Sequence, residues 1–181
     1  MRGKIDFLKN AVYDGLLKST ERLNKVSLFR WKVEEVRFEL PKKDFESVCV
    51  YLVSRNFNRF AFLLFIRKED ANKVFKIFSG YYLAASSEFK KSYELLISEI
   101  GNIILNSVLS EMANRLGRAI MPDVPIVING DKKFILENIS QMIEENKSKN
   151  PVSSTVLVEG GEDKIEMELY FFVENDIIER L

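Results

Sequence analysis

Ser98–Val127, SEIGNIILNSVLSEMANRLGRAIMPDVPIV, is the stretch whose reading decides the fold. At 3.6 residues per turn it predicts the later part of a long helix, Phe89 to Leu116, closed by Gly117. Ile97, Ile100, Ile104, Leu105, Val108 and Met112 share one face, the expected core face. Another arc carries Ser92, Leu95, Glu99, Asn102, Asn106, Ser110 and Ala113. Its spacing alternates threes and fours, as in a helix–helix seam, where Leu or Ile would be normal. This seam is mostly polar or small and has no Lys or Arg. A solvated face is the plainer reading of such an arc. Asparagine is a mediocre helix former, however, and two of them one turn apart suggest recognition.

Working outward, the chain repeats itself. A first helix over Ile5–Lys25, with Leu8, Val12, Leu16 and Leu23 on one stripe, precedes three strand-like runs. These are Trp31–Leu40, Phe45–Ser54 and Asn58–Arg67, the last two joined as a hairpin at Arg55-Asn56. A short helix, Glu69–Phe78, ends at Gly80. After the long helix come a strand over Arg118–Asn129 and a hairpin, Val152–Glu159 with Lys164–Glu174, around Gly160-Gly161. The tail NDIIERL reads as a stub of a second short helix. ERLNKV at Glu21–Val26 aligns with NRLGRA at Asn114–Ala119. The expected fold is therefore α+β in a single domain over residues 1–181. Two pseudo-symmetric helix–three-strand repeats, about 1–88 and 89–181, share a mainly antiparallel sheet packed by long helices. An amphipathic helix at about 131–147, with Ile135, Ile139 and Met142 on one face, is an insertion in the second repeat.

Composition narrows the chemistry. The 181 residues carry 27 basic and 27 acidic side chains, so no net field draws the chain to nucleic acid or an anionic membrane. Residues 1–90 hold 18 basic and 11 acidic groups, and residues 91–181 hold 9 and 16, so the halves are oppositely charged. With no histidine, Ser-His-Asp catalysis and imidazole-bound metals are excluded. The one cysteine, Cys49, rules out an internal disulfide and reads as a core side chain. There is no signal-peptide core and no run of 18 apolar residues, and a cytoplasmic location is expected. Glycine-rich phosphate loops and calcium-loop spacings are absent.

Glu99 and Asn102, at i and i+3, project about 5–6 Å apart from one surface. A carboxylate can pair with a partner's cation. A carboxamide both donates and accepts, so it can orient water without ionising. Such a pair suits hydrolysis of an activated phosphate, which needs a positioned water and stabilised charge more than covalent help.

Glu99-Ile100-Gly101-Asn102, followed after 22 residues by Pro125, resembles the active-site signature of the CheC/CheX/FliY phosphatases of chemotaxis. The resemblance covers nearly the whole chain except the insertion, and implies a pseudo-twofold protein. It implies hydrolysis of the aspartyl phosphate of a CheY-type response regulator. Glu99 would pair with the regulator's active-site lysine, and Asn102 would orient the attacking water. Asn106 and Ser110 would extend the partner-binding surface, and Pro125 would shape the strand near the helix. No cofactor of its own is implied, since Mg²⁺ belongs to the regulator. Phosphorylated CheY-type regulator is the implied partner, with CheD as a further candidate and neither nucleic acid nor membrane. Leu95 departs from the Asp or Ser usual four residues before the Glu. The alternative is a weakly active or inactive interaction module of the same fold, binding a regulator, CheD or a flagellar switch component. In the first repeat the helix-end alignment sets Asp6 opposite Glu99 and Lys9 opposite Asn102, and no Glu-x-x-Asn pair survives.

Overall fold

A computed structural model describes residues 2–27, 30–37, 43–54, 60–79, 88–117, 119–144, 149–160 and 163–174. The expected Arg55-Asn56 turn, the Gly80 stop, Gly161 and the NDIIERL tail lie outside the described residues. The elements run α1 (Arg2–Val26), β1 (Arg30–Arg37), β2 (Glu46–Ser54), β3 (Phe60–Arg67), α2 (Lys68–Ser79), α3 (Glu88–Leu116), β4 (Ile126–Asp131), α4 (Lys132–Glu144), β5 (Lys149–Gly160) and β6 (Asp163–Glu174). The protein is α+β, with one antiparallel sheet ordered β1-β5-β6-β3-β2-β4. This order is palindromic between the halves. The central pair is β3 with β6, and each half's first strand pairs with the other half's second. Neither half contains all the partners of its own strands.

Alternation sets the two faces of the sheet. Val48, Val50, Leu52, Phe62, Leu64, Ile66, Leu169 and Phe171 join the core under α1, α2 and α3. Cys49, Ala61, Leu63, Phe65, Tyr170 and Phe172 face the other way, where Ile135 and Ile139 of α4 cover them. Burial pushes the Cys49 thiol far above its ordinary value, as befits an inert core group. The inserted helix therefore covers a sheet face that would otherwise expose aromatic surface.

Two carboxylates cap α4. Asp131 accepts from the Phe134 N–H and Asp44 from the Lys133 N–H, each at 3.0 Å. Partial desolvation acts upward on the Asp44 carboxyl, but hydrogen bonds led by the Lys133 N–H hold it below its usual value. Lys132, 2% exposed, donates to Glu168 Oε2 at 2.9 Å, and the Tyr170 hydroxyl donates to the same oxygen at 2.7 Å. The Lys132 ammonium also lies 4.5 Å from the Phe45 ring centroid. Charge pairing thus fastens the start of α4 to the sheet.

On the other face, α1 and α3 cross at backbone distance. A Cβ on Gly15 would lie 2.5 Å from the Val108 Cα. Around this point the interhelical pairs obey one rule. Lys18 pairs with Glu111, 93 positions on, as Val108 is 93 on from Gly15. Arg22 donates to Ser107 at 3.2 Å, and Arg115 pairs with Asp14, the counterparts of one another under the same shift. Residues 93 apart are therefore equivalent across the pseudo-twofold axis, and they meet where it passes, at Gly15 with Val108 and Lys18 with Glu111. This register aligns Glu21 with Asn114, as the helix-end alignment has it.

The strand expected over Arg118–Asn129 is shorter in the structure. Only Ile126–Asp131 joins the sheet, because Pro122 and Pro125 lack the N–H a ladder needs. Ser92–Leu116 of α3 is the one helical stretch among the described residues long and apolar enough to cross a membrane, and half of its apolar window is buried inside the fold.

Glu111 ties α1 to α3 through Lys18 and Arg115. Hydrogen bonds from these two cations hold its carboxyl below the usual 4.5. A depressed carboxylate contributes stability above its unfolded pKa and loses it as pH falls through the folded value. Thermal melts from pH 7 down through pH 4 should therefore show wild type losing stability below about pH 4.5 more steeply than Glu111→Gln. Parallel curves would remove Glu111 from the interface energetics.

Candidate functional site

Three neighbours surround α3. Ile97, Ile100, Ile104 and Val108 are buried in the core that α3 shares with the sheet and α1, and α1 crosses at Val108 through Gly15. Tyr93 meets Phe75 of α2 with ring centroids 5.7 Å apart, and burial followed by the charge of Glu94 pushes its hydroxyl up to about 12. The strip left over is the one the sequence singles out. Glu99 and Ser110 are exposed, and Asn102 and Asn106 are half-buried. Leu95, one turn before Glu99, is 64% exposed, high for a leucine.

Gly101 explains why this strip faces outward. A Cβ there would lie 2.5 Å from Val50 Cγ1 and 2.7 Å from its Cβ, so α3 rests directly on β2 at this residue. Contact on the Gly101 side turns Glu99 and Asn102, two before and one after it, away from the sheet.

The same contact accounts for Pro125. Val50 pairs with Val127 of β4, two residues beyond the proline. From Gly101 the chain climbs about 22 Å to the end of α3. It reverses at Gly117, whose φ of 61° suits glycine, and returns through 119–125 to enter the sheet beside its starting point. Ten residues from Gly117 to Val127 can span up to about 33 Å, so the return has slack for an irregular segment. Its Asp123 N–H donates to Val53 at 3.0 Å. Pro125 is half-buried at the mouth of β4.

Within the strip the carboxamides are joined. Asn106 Nδ2 donates to Asn102 Oδ1. Among the described residues Glu99 has neither an ion-pair nor a hydrogen-bond partner, so its carboxylate is available to an external cation. Beyond Asn106 the strip continues into a groove of about 270 Å³ between α3 and the returning segment, lined by Asn106, Ser110, Ala113, Asn114, Ala119 and Pro122 among others. Among the described residues no group of three or more carboxylates and thiols is arranged to hold a metal ion.

The structure thus brings Glu99, Asn102, Asn106 and Ser110 onto one surface and sets Pro125 at the start of β4. Sequence reasoning missed the Asn102–Asn106 bond, although the i,i+4 spacing was its signal. It also passed over the exposure of Leu95, which the wheel itself places on the outward arc.

No family model matches the sequence, and no curated protein matches it. Solved structures do match in shape. FliY of Thermotoga maritima superposes with a TM-score of 0.67 at 14% identity, over 99% of this chain and 94% of that one. CheX in a CheX–CheY–BeF₃–Mg²⁺ complex from Borrelia burgdorferi superposes at 0.54 and 17% identity, over 88% and 96%. This chain has the CheC/CheX/FliY fold. The FliM middle domain of Helicobacter pylori shares the architecture, at 0.62 and 7% identity over 100% and 99% of the two chains. On α3 of this fold Glu99 and Asn102 point outward, and Gly101 points inward onto Val50.

Gly101→Ala should therefore destabilise by about 1–3 kcal/mol, the range for forcing extra volume into a packed core. Gly101→Ala with Val50→Ala should recover most of the loss, because the clash is with the Val50 side chain. Urea denaturation of the three proteins checks this. A stable single mutant would place the helix–sheet contact elsewhere.

Proposed function

We propose that this chain is a phosphatase for the aspartyl phosphate of a CheY-type response regulator, acting in the cytoplasm in chemotaxis signalling. The observation carrying this reading is the outward pairing of an unpartnered Glu99 with Asn102 beside the helix–sheet contact at Gly101. The fold it shares with CheX and FliY supports the same reading.

In this mechanism α3 docks against the regulator's phosphorylation site. The Glu99 carboxylate pairs with the regulator's lysine and fixes the approach. The Asn102 carboxamide enters the site, accepts a hydrogen bond from water and aligns that water with the phosphorus, and the water's protons leave with the phosphate. The water's oxygen forms the new P–O bond as the bond to the aspartyl oxygen breaks, releasing inorganic phosphate and the free carboxylate. Mg²⁺ held by the regulator neutralises the transferring group. The chain itself supplies position and charge on a helix whose other faces are packed, so little order is lost at the moment of reaction.

A second reading keeps the docking and drops the chemistry, leaving an interaction module for a regulator, CheD or a flagellar switch component. Leu95 supports it, since an exposed apolar side chain beside the motif suits binding more directly than hydrolysis. So does the likeness to the FliM domain.

Phosphate release from a phosphorylated CheY-type regulator separates the two. Asn102→Ala should lower the release rate at least about a hundredfold with unchanged melting, the loss typical of removing one polar group that acts in a transition state. Wild type no faster than the regulator's own hydrolysis would leave only the module.

Turnover across ionic strengths tests Glu99. Exposed ion pairs weaken as salt screens them. Wild-type activity should fall as salt rises, and Glu99→Gln should start lower and fall less steeply. Normal turnover in Glu99→Gln would end the pairing role.

A further inference from the structure

Asn102 bonds to its neighbour on α3 through its oxygen, with Asn106 Nδ2 as donor. That direction has chemical consequences. A carboxamide turned over by 180° exchanges its donor and acceptor, and an isolated asparagine on a helix surface is free to do so. A donor on Oδ1 selects one orientation. It occupies one of that oxygen's two lone pairs and leaves the other, with both Nδ2 protons, for what approaches from outside.

We propose that Asn106 is a positioning residue for Asn102 and makes no essential contact with the partner. The proposal rests on the phosphatase reading above and deepens it. Asn106 holds the amide of Asn102 so that Oδ1 can accept from the attacking water and Nδ2 can donate to a phosphoryl oxygen. A water aligned by an amide that spends part of its time inverted is aligned only part of the time. The backbone supports this assignment. Both asparagines lie on the long helix between its contacts with β2 at Gly101 and with α1 at Val108, so their spacing is held from both sides. Asn102 and Asn106 are both half-buried, whereas Glu99 and Ser110 at either side are exposed. Asn106 lies a full helical turn beyond Asn102, on the side away from Glu99, so a partner seated on Glu99 and Asn102 need not reach it.

The test compares Asn106→Ala and Asn106→Asp with wild type and Asn102→Ala. Two quantities are read: the single-turnover rate of phosphate release at saturating protein, and the Kd for the beryllofluoride-activated regulator. Asn106→Ala should lower the rate about tenfold, the worth of one hydrogen bond, with the Kd within about twofold of wild type. Asn106→Asp should be slower still. Its carboxylate only accepts, so it draws Asn102 Nδ2 toward itself and turns the amide over. Titrating Asn106→Asp downward in pH should recover rate toward that of Asn106→Ala or above, since a protonated carboxyl can donate to Oδ1 again. Melting curves for both variants should match wild type. A weakened Kd with an unchanged saturating rate would make Asn106 a contact residue and overturn the proposal. So would an unchanged rate in both Asn106 variants. If Asn102→Ala itself leaves the rate unchanged, the phosphatase reading falls first. If only the Asn106 variants do so, the reading stands and this inference alone fails.

Discussion

The α1–α3 crossing is the contact on which the rest of the structure hangs. Gly15 lets one helix touch the other at the Val108 backbone. Only at that separation do both helices fit as one layer over a six-stranded sheet whose halves interlock. The crossing also lies on the pseudo-twofold axis, where a residue meets its own counterpart 93 positions away. A duplicated chain with identical halves would have valine against valine there, or glycine against glycine, either a clash or a void. It would also set like charges opposite at positions 18 and 111. Gly15 against Val108 and Lys18 against Glu111 show how divergence resolves both conflicts. The opposite charge of the two halves takes on meaning at this interface, although most of those charges lie elsewhere.

Much of this architecture is legible in the sequence because it rests on periodicity. The buried stripe Leu8, Val12, Leu16 and Leu23 and the alternation Ile165, Met167, Leu169 and Phe171 are imposed by local geometry and survive folding unchanged. The two-half organisation was legible as well, in the alignment of ERLNKV with NRLGRA. The pairing of each first strand with the other half's second strand was not, since no local signal says which edge a strand will join. β4 is shorter than expected because prolines at 122 and 125 delay its entry into the sheet. The cluster of Lys132, Glu168 and Tyr170 was equally hidden. Three polar residues become one hydrogen-bonded unit only when α4 is laid across the sheet.

The candidate site divides along the same line. Glu99, Asn102, Asn106 and Ser110 could be placed on one arc from spacing alone. What the arc faces depends on Gly101, and glycine advertises a close approach without saying to what. Val50 supplies the answer, and its pairing with Val127 joins the helix part of the motif to Pro125. A pattern of three separated residues is thus one structural circuit: a helix seated on a strand, a climb, a reversal at Gly117, and a return to the neighbouring strand.

The pseudo-symmetry also bears on why the candidate site lies on α3 and not on α1. Under the shift of 93, Glu99, Asn102 and Asn106 correspond to Asp6, Lys9 and Tyr13. Asp6 and Tyr13 are exposed and Lys9 is half-buried, so α1 presents its equivalent strip to solvent as well. Chemical type separates the two strips. An aspartate keeps a carboxylate in the first position, but a lysine in the second only donates, and no group there can accept a hydrogen bond from water. Tyr13, in the third position, has no partner amide to orient. Two helices related by the pseudo-symmetry thus offer different surfaces, and the close seat on the sheet at Gly101 has Leu8 as its counterpart in α1. The fold supplies two related platforms, and of the two strips only that on α3 carries a bonded amide pair beside an open carboxylate.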